Sequence, residues 1–280
     1  MIETDATTAD GRMLHAYDTG HTADDELVVF WHHGTPNIGS PPQPLFDTSA
    51  RLGIRWISHD RPGYGGSTRQ PGRTTASVAA DAAAVADALG VGRFAVMGYS
   101  GGATFALACA ARLPDRVVGA AGLSALAPFA ADGLDWFAGM GPSGVASLTA
   151  ATFGLAAKES FEESNDAEPD FIPADLDALS GEWSWLGSVA GPAMAGGPGG
   201  LVDDDIAYVS AWGFDVAQIR VPVLLAHGER DRVVPIAHSA WLAGRCPTAE
   251  LRRFPHDGHL SVLHHAADTL TWLAAHVTAC

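Results

Sequence analysis

Ser100 stands in Gly98-Tyr99-Ser100-Gly101-Gly102, directly between an apolar run and an alanine-rich stretch. Gly-x-Ser-x-Gly alone is a weak signal, and its context must carry it. A serine on a sharp strand-to-helix turn needs small neighbours, because its backbone is strained and closely packed. Its hydroxyl then sits at the C-terminal edge of a sheet beside a helix N-terminus, where developing negative charge is favoured. The bland alternative is a glycine-rich turn without chemistry. A serine hydroxyl is a poor nucleophile without a base. His259, in His256-Asp257-Gly258-His259, follows an expected strand at 250–254 and precedes the last helical segment. The Gly-His step favours His259 over its neighbour His256, since glycine lets the loop turn the ring inward. The base needs a carboxylate to fix its tautomer and stabilise the imidazolium. Asp231, in His227-Gly228-Glu229-Arg230-Asp231, follows another apolar run and leaves the sheet at the same edge; Glu229 and Asp257 compete with it. An oxyanion needs two preorganised N–H donors. Thr35, in His33-Gly34-Thr35-Pro36, and Gly101 are the candidates. Together these residues point to two-step acyl transfer. The adjacent His32 and His33 could suggest a metal, but no carboxylate or third histidine stands nearby at ligand spacing, so none is expected.

Such a site requires strands that end at one edge. Leu27–His32, 54–58, 93–97, Val117–Leu123 and 221–226 are short apolar runs without alternation, as expected for strands covered on both faces. Between them, 75–89 places Val78, Ala82, Val85 and Leu89 on one helical face, with Gly90 as a stop. The 101–113 stretch is alanine-rich and ends before Pro114, and 260–277 carries Leu263, Ala267, Leu270 and Leu273 at helical spacing. Alternating strands and helices imply a mostly parallel central sheet flanked by helices, an α/β fold. The rhythm breaks between residues 129 and 215, a stretch that holds Trp136, Trp183, Trp185 and Trp212. We read it as a mainly helical insertion over a core built from 1–128 and 216–280; ordinary core helices with long loops are the alternative. Tyr99, Trp136, Phe137, Met140, Trp183, Trp185 and Trp212 are candidates to line an apolar substrate pocket.

The composition narrows the partners. The chain has 280 residues, 47% of them hydrophobic, and a formal net charge of −16. A surface that negative repels phosphate backbones and anionic lipid, so neither nucleic acid nor membrane is an expected partner. The three cysteines, Cys109, Cys246 and Cys280, have no CxxC spacing and argue against a disulfide scaffold or a zinc site. The acidic start of the chain shows no signal peptide, and no apolar run reaches the length of a membrane span. A cytoplasmic protein acting on a small molecule is the expectation.

Taken together, these residues resemble the α/β-hydrolase superfamily, specifically its serine-nucleophile, esterase-like branch with a cap insertion. The order Ser100, Asp231, His259 is the superfamily's nucleophile–acid–histidine order. His33-Gly34-Thr35-Pro36 resembles its oxyanion motif, and Asp60-Arg61-Pro62-Gly63-Tyr64-Gly65-Gly66-Ser67 is similar to its DxPGxGxS segment, whose family role is mainly structural. The resemblance implies hydrolysis of a carboxylic ester without a cofactor, and the aromatic residues of the insertion with the acidic balance favour a small to medium apolar one. The same triad serves C–C bond hydrolases, perhydrolases and aminopeptidases, and a hydrolase-like receptor could bind a small hydrophobic ligand without turnover. Gly101 departs from the larger residue common at its position and is expected to leave room behind the nucleophile.

Overall fold

The computed structural model describes residues 1–21 and 27–277. Cys280 lies outside the described residues. Eight strands form one sheet: β1 (Ile2–Thr7), β2 (Met13–Asp18), β3 (Leu27–His32), β4 (Ile54–His59), β5 (Phe94–Tyr99), β6 (Val117–Leu123), β7 (Val223–Gly228) and β8 (Ala249–Phe254). Their order is β1-β2-β4-β3-β5-β6-β7-β8. β2 runs antiparallel to both its neighbours, and every pairing from β4 through β8 is parallel. β4, β5, β6 and β7 are buried at every position. That is why they read as apolar runs without alternation. The edge strand β8 instead carries Glu250, Arg252 and Arg253, charges that oppose pairing with a further strand.

The helices in chain order are α1 (Phe46–Leu52), α2 (Val78–Ala88), α3 (Gly101–Arg112), α4 (Pro142–Thr152), α5 (Leu155–Ser164), α6 (Pro173–Ser180), α7 (Trp185–Met194), α8 (Gly199–Val209), α9 (Ala237–Arg245) and α10 (Ala266–His276). Successive strand residues point to opposite faces. Phe30 and Val96 therefore join one core with Val85, Phe105 and Leu242, beneath α2, α3 and α9. Trp31 and Met97 join the other with Trp56, Leu270 and Leu273, beneath α1 and α10. α3 sits against the middle of the sheet at very short range. A Cβ on Gly98 would lie 2.3 Å from the Gly102 carbonyl oxygen, and one on Gly102 would lie 2.0 Å from that of His32. Only glycine allows this approach.

The expected strands appear within about two residues of their expected limits, and the expected helices at 75–89 and 260–277 each begin with a 3-10 turn, Thr75–Ser77 and Ser261–His265. β1, β2 and α1 were not among the expected elements. Between β6 and β7 the described elements are helical, α4 to α8 and two 3-10 turns, Glu182–Ser184 and Val216–Gln218. α4, α5 and α8 pack on one another, while α6 packs on the 3-10 turn after His259. No helix among the described residues is long and apolar enough to cross a membrane.

Candidate active site

β5 ends at Tyr99, α3 begins at Gly101, and Ser100 occupies the single residue between them. Its backbone lies at φ 55° and ψ −130°, outside the regions that L-residues favour. Such a conformation costs on the order of 1–3 kcal/mol and persists only where the surroundings dictate it. The loop after β8 brings His259 to the same edge. Its Nε2 lies 3.0 Å from Ser100 Oγ, and its Nδ1 lies 2.8 Å from Asp231 Oδ2 in the loop after β7. A carboxylate only accepts, so Nδ1 carries the hydrogen and Nε2 is free to accept from the serine. The competing residues do not share this chain: Asp257 pairs with His265 and Glu229 with Arg253.

Asp231 is held from several sides. Its Oδ1 accepts from the Val233 and Val234 N–H groups at 2.9 and 2.8 Å. Its Oδ2 also accepts from Ser124 Oγ at 2.9 Å, and His227 Nε2 lies 3.3 Å away. Burial alone would raise this pKa; His259 and His227 outweigh it and hold the carboxyl well below the usual range. His227 and Ser124 were not expected. The available signal for His227 is a histidine at the end of an otherwise apolar buried strand.

The Thr35 loop is fastened by charged groups. The Arg61 guanidinium donates to the carbonyl oxygens of His33 and Gly34, to Thr35 Oγ1 at 3.1 Å and to Asp204 Oδ2 at 2.7 Å. Asp204, on α8, also accepts from Arg73, Tyr64 and Thr35. Burial would raise its pKa, and the two guanidinium groups of Arg61 and Arg73 hold it well below the usual range instead. His33 Nε2 accepts the Arg61 N–H at 3.0 Å, and His32 stacks on Phe30. The two histidines are thus built into the scaffold.

Gly101 does not leave room. An ideal Cβ there would lie 1.8 Å from the Tyr208 hydroxyl oxygen, so the α8 tyrosine fills the space that a side chain at 101 would take. Tyr208 Oη is 2.8 Å from Thr35 Oγ1. Since Thr35 already donates to Asp204, the tyrosine is the donor.

Two cavities border Ser100. One, of about 330 Å³, is lined by Thr35, Tyr99 and His259 from the sheet side and by Phe171, Leu179 and Leu186 from the helical insertion, among others. The other, of about 170 Å³, includes Gly101, Leu126, Ser147, Asp205 and Tyr208. Of the expected pocket aromatics, Tyr99 lines the larger cavity. Trp136, Phe137, Trp183, Trp185 and Trp212 line neither. Trp136 packs edge-on against Phe137 and donates to the Ala127 carbonyl, Trp183 lies beside Trp185, and Trp212 stacks on Phe214. Trp136 and Trp212 belong to the core under α2, α3 and α9 and Trp183 to the other core, where a large ring removes much apolar surface from water. Met140 is likewise core.

Ser100, His259 and Asp231 thus meet at the C-terminal edge of a mostly parallel sheet. The chain belongs to the α/β-hydrolase fold family, whose model matches residues 28–266. It is an enzyme of the hydrolase class. It is 32% identical over 248 residues to a non-heme chloroperoxidase from Streptomyces lividans, covering 84% of each chain. It is 29% identical over 243 residues to a bifunctional esterase/perhydrolase from Acinetobacter calcoaceticus, covering 82% of each. An esterase from Exiguobacterium antarcticum shares the fold with a TM-score of 0.70 at 20% identity, covering 98% of this chain and 100% of that one.

Proposed function

We propose that this hydrolase cleaves small to medium apolar carboxylic esters through an acyl-enzyme on Ser100. The observation that carries the reading is the unbroken relay from Ser100 Oγ through His259 to Asp231, at 3.0 and 2.8 Å, at the wall of an apolar cavity. His259 Nε2 takes the serine proton as Oγ attacks the carbonyl carbon. The N–H groups of Thr35 and Gly101 receive the oxyanion, each worth about 3–4 kcal/mol to the transition state. His259 then returns the proton to the leaving alcohol oxygen, and water repeats the cycle on the acyl-enzyme. Asp231 stays ionised throughout and steadies the imidazolium. The segment 129–215 acts as the cap that excludes water. The substrate is a small apolar molecule, and no cofactor takes part.

Hydrolysis of p-nitrophenyl acetate tests this. The parent protein should turn it over with burst kinetics, and Ser100→Ala should lose about 10⁴-fold or more in kcat. Retention of activity in Ser100→Ala would sink the reading. The names of two relatives, the chloroperoxidase and the esterase/perhydrolase, favour a second acceptor for the same acyl-enzyme. Hydrogen peroxide in place of water releases a peracid and regenerates the serine. Peracid formation from ester and peroxide should then vanish with hydrolysis in Ser100→Ala; absence of peracid in the parent removes this reading alone.

A further inference from the structure

The two cavities beside Ser100 differ in their far walls. Among the described residues no carboxyl, ammonium or guanidinium group lines the larger one; its polar side chains are Thr35, Asn37, Tyr99, Ser100 and His259. The smaller one is apolar along Leu126, Leu148, Leu201 and Val233 but carries Ser147, Asp205 and Tyr208. Ser147 and Asp205 belong to a polar cluster around the fully buried Lys158. Its Nζ lies 2.5 Å from Ser147 Oγ, 2.5 Å from Glu162 Oε1 and 2.7 Å from Asp205 Oδ2. Ser147 Oγ donates to the same Asp205 oxygen at 3.2 Å. Among the described residues no hydrogen bond ends on Asp205 Oδ1. Two carboxyl groups face one ammonium, so this wall accepts hydrogen bonds and opposes a carboxylate.

The relay sets the direction in which a substrate lies. A leaving oxygen must reach His259 Nε2 to take its proton. His259 borders only the larger of the two cavities. The alcohol part therefore lies in the larger, apolar cavity, and the acyl part points into the smaller one.

Resting on the ester-hydrolase reading above, we propose that the smaller cavity is an acyl subsite for a short chain ending in a hydrogen-bond donor, a hydroxyl or ammonium group, received by Asp205 and Ser147. A cavity of about 150 Å³ holds a benzene-sized group. One of about 170 Å³ accordingly takes an acyl tail of about six non-hydrogen atoms. The alcohol partner is apolar, alkyl or aryl. The preferred substrate is thus an apolar ester of a short hydroxy- or amino-acid rather than of a plain fatty acid.

The test compares kcat/KM for p-nitrophenyl esters in matched pairs that exchange hydroxyl for methyl: 3-hydroxybutanoate against 3-methylbutanoate, and 6-hydroxyhexanoate against heptanoate. At least one pair should favour the hydroxylated ester by about tenfold, as a hydrogen bond to a charged group would give. Asp205→Asn and Ser147→Ala should each shrink that ratio several-fold; a ratio does not move when a variant merely loses folded protein. Leu201→Phe, on the half-exposed side of α8, should narrow the cavity and penalise the longer pair more than the shorter. Ratios of one or less in both pairs, with acetate still hydrolysed through Ser100, would overturn the subsite and leave the ester reading standing. A ratio unchanged in both Asp205→Asn and Ser147→Ala would do the same. A hydroxyl preference found only on the alcohol side would overturn the assigned direction. Failure of the parent on every ester would remove both readings together.

Discussion

The hydroxyl of Tyr208 stands where a side chain on residue 101 would have to go. Alanine normally favours a helix interior over glycine by about 1 kcal/mol. At 101 the sign reverses, because the new Cβ would meet the Tyr208 oxygen at 1.8 Å and Thr35 Oγ1 at 3.1 Å. The neighbours cannot retreat freely: Tyr208 is buried, and Thr35 is tied to Asp204 at 2.7 Å. Gly101→Ala should therefore displace the proposed oxyanion donors and lower kcat at least about tenfold. In a Tyr208→Ala background the same substitution should cost far less. The coupling between the two positions, read from kcat/KM in a double-mutant cycle, should exceed about 1 kcal/mol. Simple additivity would show that Tyr208 is not what restricts residue 101. The glycine at 101 was legible in the sequence, but its meaning was not. The residue that fills its space comes from α8, more than a hundred positions away, and no local pattern announces that contact.

At the scale of elements, the part of the site contributed by strand ends was legible and the part contributed by the insertion was not. β3, β5, β7 and β8 each end in a loop that carries one expected residue, Thr35, Ser100, Asp231 and His259. Buried strands advertise themselves by unbroken apolar runs, so their ends can be placed. β1 escaped notice because it is the polar, exposed edge strand, and β2 because His15 and Asp18 break up its apolar residues although most of it is buried. The insertion misled in a different way. Its aromatic residues suggested a pocket, whereas its carboxylates make the contacts that matter. Asp175, at the start of α6, accepts the N–H groups of Leu260 and Ser261 at 2.8 Å each, the Ser261 hydroxyl at 2.9 Å and the His259 N–H at 3.2 Å. The first N–H groups of a helix have no intrahelical partner, and a carboxylate there also answers the dipole. One side chain thus fixes the His259 loop to the insertion. Asp175→Ala leaves those buried donors unpaired at about 1–3 kcal/mol. Tm should fall, and kcat on p-nitrophenyl acetate should fall about tenfold or more while a small ester's KM changes little. A lower Tm with unaltered kcat would show that Asp175 holds the fold without positioning the histidine.

At the scale of the whole molecule, acid sensitivity should set in at a higher pH than the buried ion pairs alone would give. Asp204 and Asp231 have depressed pKa values in the folded protein. Their contribution is complete above the unfolded carboxylate value, about pH 4, and is lost only as pH falls further. The buried histidines act earlier. Burial pushes the imidazoles of His32 and His33 well down, takes His59 to about 3 with help from Arg61, and takes His238 to about 4. In the unfolded chain each would bind a proton near pH 6.5. Below that pH the unfolded state gains protons that the folded state refuses, so stability falls as pH falls. Each such histidine contributes up to about 1.4 kcal/mol per pH unit. The structure explains why they stay neutral: His33 Nε2 already accepts the Arg61 N–H, and among the described residues neither ring nitrogen of His59 has a hydrogen-bond partner to carry a charge. Tm should therefore be level from pH 8 to 7 and decline steadily from about pH 6.5 to 5. His59→Leu keeps the apolar contact with Phe30 and removes one titrating group, so its decline over that window should be shallower than the parent's. A parent Tm that stays level down to pH 5 would mean the buried imidazoles take up protons in the folded state, and the charge balance around Arg61 described above would be wrong.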